Sequence, residues 1–554
     1  MPYAAIITVD NSGEDPEEGR QGLRDELAPA MKQLPEFVSA LFMTAYERGK
    51  GVAVVVFETA DQPGSCNKNL KIIVPRTRKC PLDRGNCRYK PHRFLKRKGT
   101  SKMNSNRAAN SVAVTLGGKG VTARAGTLLV CELADRVGLT SALSRSMAPS
   151  VKRARRRDPG VALTHLAVSL VDGGDALSDL AVLRNEPDLF GKVASDSTVF
   201  RLLDSGWSKD AIIAARKVAR ERAWSLGAAA KTITIDIDAT LLTAHSDKED
   251  AAPNYKNGFG FHPLIGWLDE SNEALAGVLR AGNAGANNAD DHVKVLTDSI
   301  DQLPAEFQRG HHAGDDPASV VHKILVRADS AGASHGFVNA LLERNCEFSI
   351  GFDVDARVRE ALYCTQEEDW VAANELDGTN RDGAFVTELT ELIDLSKWGE
   401  NLRLIARRER PHPGAQLTLF DTEEGLRHQC FLTNSVGEIA ALELRQRTHA
   451  HVEDRIRDAK ATGMRNLPFR DIVPNDAWFQ LVLCATDLIA WTKALCLSEE
   501  LKKAEPKRLR YAFLHVAARV VHSGRRITLR IQKGWPWEKQ LVDAFTQLRT
   551  VALC

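Results

Sequence analysis

Two periods alternate along the chain. Ile233, Ile235 and Ile237 interleave with Thr232, Thr234, Asp236 and Asp238 in KTITIDIDATLLTAH, a period of two that predicts a strand with both carboxylates on one face. The runs GFGFHPLIGWLD and EALAGVLRAGN predict two more strands. A helix follows from about 289 to 303, then a strand (HKILVRADS), a helix (GFVNALLERN) and a strand (EFSIGFDV). A long β-rich segment, about 355–435, comes before a predicted helix over GEIAALELRQRTHAHVEDRIRDAKATG.

Upstream, residues 126–228 read as helical, with short periodic runs such as LLVCELADRVGL and VALTHLAVSLVDGG before the longer SKDAIIAARKVARERAWSLG. Ala134, Gly138 and LTSALSR have helix-turn-helix spacing, which fits both a DNA-reading module and plain helical packing. Residues 1–64 read strand (3–9), helix (22–33), strand (37–46) and strand (51–58), the opening half of a ferredoxin-like unit of the kind seen in small dimeric monooxygenases. The expected organisation is therefore a ferredoxin-like half-unit (1–64), a basic linker (65–125), an all-α domain (126–228) whose KRARRR run favours DNA binding, an α/β core (229–354), a β-rich insertion (355–435) and a long helix with a basic C-terminal region (436–554). Three antiparallel strands followed by alternating helix and strand is the order of a ribonuclease-H-like α/β sheet. Met103 begins a segment able to stand alone, so 1–102 is read as a fusion or upstream read-through.

Composition narrows the class. The chain has 554 residues, 43% of them hydrophobic, enough for more than one ordinary core. Its longest apolar run, Ala477 to Leu497, is broken by Gln480, Asp487 and Lys493, which predicts a buried helix over a membrane span. The N-terminus turns acidic before a long apolar segment forms, so a cytoplasmic protein without a secretory signal or membrane partner is expected. Ten dispersed cysteines without CxxC pairs suggest reduced thiols, and Cys80, Cys87 and His92 have poor zinc spacing. The net charge is only +2, yet cations cluster: eleven Lys or Arg against one acid from Arg76 to Lys102, five in KRARRR (152–157), and a third set from Arg508 to Arg530 among aromatics. Such blocks suit a solvated segment or phosphate contact.

Acids in special settings are the candidate chemistry. Asp238 sits on a core strand, where an unpaired carboxylate is costly and calls for a cation or metal. Asp329 ends an apolar strand, where α/β sheets place ligands, and it fits equally a helix N-cap. His449, Glu453, Ile456 and Lys460 share one face of the predicted helix, which also describes an ordinary ion-paired surface helix.

Taken in order, IDIDAT, HPL, LRAGNA, RADS and THAHVEDRIRDAK resemble the DDE transposases of bacterial insertion sequences. The similarity covers roughly 115–554 and is closest to the cut-and-paste group numbered thirteen-eighty, which carries a β-rich insertion before its catalytic glutamate. The resemblance implies Asp238 (followed two positions later by Thr240), Asp329 and Glu453 as ligands of Mg²⁺, with Mn²⁺ as a substitute. The family signature on the last helix is Tyr, two residues, Arg, three residues, Glu, six residues, Lys. It maps Lys460 onto the lysine, while His449 stands at the arginine and Gln446 at the tyrosine. His449 is then expected to touch a phosphate when protonated, with Arg445, Arg447 or Arg455 as substitutes, and Asp236 to support the site through hydrogen bonds. The implied partners are double-stranded DNA (terminal inverted repeats and target) and a second copy of the chain in a synaptic homodimer. The alternatives are a catalytically inactive DNA-binding remnant and, last, a monooxygenase-like activity of the N-terminal segment.

Overall fold

The computed structural model describes residues 3–10, 37–45, 50–57, 118–150, 157–411, 421 and 425–552. The chain divides into two compact units, 1–112 and 113–554. In the first, β1 (Tyr3–Asp10), β2 (Phe37–Ala45) and β3 (Lys50–Phe57) form an antiparallel sheet in the order β1-β3-β2. The helix expected at 22–33, the Cys80/Cys87/His92 group and most of the first two basic blocks lie outside the described residues.

In the second unit the alternating run around Asp236 becomes β4 (Ile233–Ala239), followed by β5 (Leu264–Leu268) and β6 (Glu273–Val278). Ile233, Ile235 and Ile237 are buried, and burial of this row supplies the strand's hydrophobic drive. After a helix at Ala289–Gln302 come β7 (Ile324–Ala328), a helix at His335–Glu343 and β8 (Glu347–Phe352). Four more strands, β9 (Val371–Asn374), β10 (Asn380–Glu388), β11 (Arg403–Glu409) and β12 (Arg427–Thr433), complete a nine-stranded sheet in the order β6-β5-β4-β7-β8-β12-β11-β10-β9. β7 is parallel to both β4 and β8, and the other neighbours are antiparallel.

Three elements differ from expectation. The run GFGFHPLIGWLD is two strands, Phe259–Phe261 and β5, because Pro263 has no N–H for a ladder and His262 turns its own N–H to the Arg280 carbonyl (2.9 Å). The segment 355–435 opens with a helix, Ala356–Cys364, capped by Asp355, and its strands extend the central sheet through β12 on β8. The helix expected across 437–463 is broken into α1 (Ile439–Arg447), a 3₁₀ turn (Thr448–Ala450), α2 (His451–Ala459) and a wide turn at Lys460–Met464.

The helices before β4 share one continuous core with the sheet. The apolar run before Leu497 is α3 (Ile472–Cys496), which packs against the helices at Ala125–Arg136, Pro159–Asp172 and Ser208–Ala223 and against β6. It is the one described helix long and apolar enough to cross a membrane, and most of it is buried in the unit. Its Asp487, fully buried, explains the polar interruption: it accepts from Arg216 Nε (2.9 Å), Arg220 Nη2 (2.8 Å) and the Ala274 N–H (2.9 Å). Arg220 also bonds Glu273 (3.0 Å), whose carboxylate accepts from the indoles of Trp224 (3.0 Å) and Trp491 (2.7 Å). The charges balance, with two guanidinium groups against two carboxylates, and bonding within the set offsets their desolvation.

Removing one member leaves that balance open. Asp487→Ala is expected to destabilise the chain by about 3–5 kcal/mol, because Arg216 and Arg220 remain buried without their shared anion; urea unfolding of the variant beside the wild type measures it.

Candidate active site

Strand register brings the first two acids together. Across the parallel pair β4 and β7, Asp236 faces Arg327 and Ile237 faces Ala328. One step further along both strands lie Asp238 and Asp329. Asp329 does not cap the helix at His335–Glu343, which uses Ser334; its carboxylate accepts from the Ala331 N–H (3.0 Å) and starts the 3₁₀ turn Ser330–Gly332. Gly351 on β8 permits this turn, since a Cβ there would stand 2.7 Å from the Ser330 nitrogen and 2.9 Å from the Asp329 carbonyl carbon.

Electrostatics report the proximity. Burial, then the negative charge of Asp329 and more weakly that of Glu453, push the Asp238 carboxyl up to about 6, against opposing pulls from His449 and the Ala239 N–H. Asp329 and Glu453 are exposed and Asp238 half-buried, so the group opens outward. Lys460 Nζ donates to Thr240 Oγ1 (2.7 Å). Its ammonium is held below the usual lysine range by burial and by Arg465 and Lys256, with Asp238 acting in the opposite sense. Lys460 is thus the cation beside Asp238, and Arg465 and Lys256 stand near Lys460.

Asp236 faces the same side and has another role. It is fully buried and accepts from Arg327 Nε (2.7 Å) and Nη2 (2.9 Å), from Arg455 Nη1 (3.1 Å), and bonds His449 Nδ1 (2.8 Å). Burial alone would raise its pKa; the bonds from His449 and Arg327 outweigh this and lower it. Arg327 also donates to the Arg445 carbonyl (2.7 Å), to Thr448 Oγ1 and to Asp269 (2.8 Å), while Arg455 bonds Asn272 (3.1 Å) and Asp269. This network breaks the helix expected at 437–463: the 3₁₀ turn between α1 and α2 aims Thr448 and His449 at the β4–β7 pair.

The departures from the family signature thus point inward. His449 is buried against Asp236, and Gln446 Nε2 donates to the Ala328 carbonyl (3.2 Å), one residue before Asp329. The arginines expected to substitute for a phosphate-binding side chain are committed elsewhere: Arg445 to Glu347 (3.5 Å), Arg447 to Glu443 (3.1 Å) and Arg455 to Asp236 and Asp269. Sequence reasoning missed two members of the site's surroundings. His262 and His292 both feel the charge of Asp329, and Arg280 fixes the first by donating to its carbonyl (2.9 Å) while pairing with Asp291 (3.1 Å). HPL and LRAGNA thus form one folded corner beside Asp329, closed where Gly282 lets the backbone approach Ala252 and Gly260.

Oxygen-only donors that repel one another suit a hard divalent cation. Among the described residues no three His, Cys, Asp or Glu side chains stand close enough to form a closed metal site. What favours such an ion is the all-oxygen chemistry of the three acids and the field they share at Asp238.

Two outcomes test this geometry. The folded Asp238 carboxyl titrates near 6 and an unfolded one near 3.8, so the native state holds the extra proton between those values and stability falls as pH rises through that window. In metal-free buffer Asp238→Asn is therefore expected to raise Tm at about pH 7.5 and to leave it unchanged below about pH 4, read by thermal scans. Gly351→Ala is expected to cost about 1–3 kcal/mol by overpacking against the Asp329 turn, read by denaturant unfolding.

Comparison with known proteins bears on the same elements. The chain matches the family described as Transposase DDE domain group 1 over residues 104–553, which include all three acids and nearly the whole second unit. No curated protein matches. Among solved structures, it is similar to a piggyBac transposase synaptic complex with hairpin DNA, at 12% identity and a TM-score of 0.35 over 72% of this chain and 83% of that one. With the family match spanning most of its length, the chain belongs to the DDE transposase family.

Proposed function

We propose that the chain is the transposase of a bacterial insertion sequence, binding the element's terminal inverted repeats and catalysing metal-dependent strand cleavage and strand transfer. The observation that carries this reading is the Asp238–Asp329 pair at the ends of adjacent parallel strands, with Glu453 near enough to raise the Asp238 pKa. The strand order β6-β5-β4-β7-β8 supports a ribonuclease-H-like core. Asp238, Asp329 and Glu453 are the residues that would hold Mg²⁺, or Mn²⁺ in its place. When bound, such ions activate the attacking oxygen and stabilise the leaving one.

The chain's own groups prepare the site. Asp236 holds α2 against the sheet through Arg455, and Arg327 holds the preceding turn through Thr448, so Glu453 is presented by a fixed helix. His449, oriented by Asp236, is a positioning residue that contributes positive field to Asp238 when protonated. Lys460, Lys256 and Arg465 offer a cationic border for DNA phosphates. The helical segment 126–228 would supply end recognition, two copies would join the two ends, and the reaction would take place on cytoplasmic, nucleoid-associated DNA.

Cleavage of a labelled duplex bearing the element's terminal repeat, with Mg²⁺ or Mn²⁺, tests the reading. Asp238→Ala, Asp329→Ala and Glu453→Ala are each expected to lower the rate by about a thousandfold, the equivalent of several kcal/mol of lost charge stabilisation. Wild-type binding without metal-dependent nicking would instead identify a DNA-binding remnant.

A further inference from the structure

The C-terminal region carries a charged surface outside the acidic site. From Pro506 to Trp537 the chain has eight Lys or Arg and no acid. Within it Ala518–Ser523 and Arg526–Ile531 form a two-residue hairpin, turned by Gly524 at φ 59° and Arg525. Its inner strand pairs with Val121–Thr122, just ahead of the helix at Ala125–Arg136, which anchors the hairpin to the second unit.

Alternation sorts the side chains. Ala518, Val520, Leu529 and Ile531 share one face, and all four are buried or packed against the core. The opposite face carries Arg519, Arg526 and Arg530, all exposed, with Arg519 directly across from Arg530. Like charges directly opposite destabilise a sheet. Among the described residues no carboxylate pairs with any of the three, and the one described bond is from Arg519 to the Lys119 carbonyl (3.3 Å). A fixed, uncompensated guanidinium row on a docked hairpin is costly for folding and suited to a polyanion.

We propose that the outer face of this hairpin is a docking surface for the phosphate backbone of duplex DNA, with Arg519, Arg526 and Arg530 each meeting a phosphate. The inference rests on the DNA-acting reading above and adds a surface separate from the acids. Arg526 and Arg530 are four residues apart, about 13 Å along the strand. A duplex carries one charge per about 1.7 Å of its axis, so a row of this length faces several phosphates. Contacts of this kind set register on DNA without reading sequence.

The test is the salt dependence of full-chain binding to a random-sequence duplex. Arg519→Gln/Arg526→Gln/Arg530→Gln is expected to flatten the slope of log K against log salt by about 2.7, or about 0.9 per contact, and the triple Arg→Lys variant to restore it. Arg519→Gln alone is expected to keep or slightly raise Tm, because it relieves the cross-strand repulsion; a clear loss would assign the row a structural role and overturn the proposal. If the triple variant unfolds, Arg526→Gln and Arg530→Gln separately are each expected to flatten the slope by about 0.9. An unchanged slope overturns the proposal, as does stronger dependence of anionic-vesicle binding than of duplex binding on the same three residues. Failure of the transposase reading would appear separately, as absence of metal-dependent cleavage by the wild type.

Discussion

The buried carboxylate of Asp236 is the interaction on which the acidic site depends. A lone ionised aspartate in a core strand would cost several kcal/mol, and here two guanidinium groups and an imidazole converge on it. Each donor comes from a different place: Arg327 from the neighbouring strand, His449 from the 3₁₀ turn and Arg455 from the helix carrying Glu453. Satisfying one buried charge therefore joins three segments far apart in sequence. Asp238 then sits two residues along the same strand and Asp329 two residues beyond Arg327, so the geometry of the acids follows from that of the clamp.

A second buried set performs the same task further from the acids. Arg216 and Arg220 on a helix before the sheet meet Glu273 at the start of β6 and Asp487 in the middle of α3. Both networks neutralise charge where water is absent and both tie helices to the sheet, one at the edge strand β6 and the other at the interior pair β4 and β7. The difference lies in what stands beside them. Around Asp487 the neighbours are Trp491, Ala274 and other buried groups, whereas Asp236 adjoins acids that open to solvent. Burial raises the carboxyl of Asp487 as it does that of Asp238, but Asp487 has Arg216 and Arg220 bonded to it, whereas the acids nearest Asp238 add repulsion to its burial.

The departures at Gln446 and His449 acquire a physical meaning in this setting. Both side chains act on the two strands bearing the acids, Gln446 on the carbonyl before Asp329 and His449 on Asp236. They brace the site from behind, and the outward cations are Lys460, Lys256 and Arg465. Helix periodicity placed His449, Glu453 and Lys460 on one stripe. The 3₁₀ turn at 448–450 interrupts that stripe and turns His449 inward while Glu453 stays exposed.

Local pattern determined much of this. The period of two in TITIDIDA, the apolar run ending at Asp329 and the interrupted apolar run around Asp487 each announced an element whose type depends on nearest neighbours and burial, and each formed. The order of these elements was equally legible, because strand and helix periods differ. The partner of Asp236, the break at Thr448, the split at His262–Pro263 and the joining of the 355–435 strands to the central sheet were not. Each depends on a bond between residues tens to hundreds of positions apart, and no periodicity encodes such a bond. Sequence determined which carboxylates would be expensive to bury; tertiary structure alone decided which was neutralised by arginine and which was left with its charge facing other acids, because only packing sets the distance between charges.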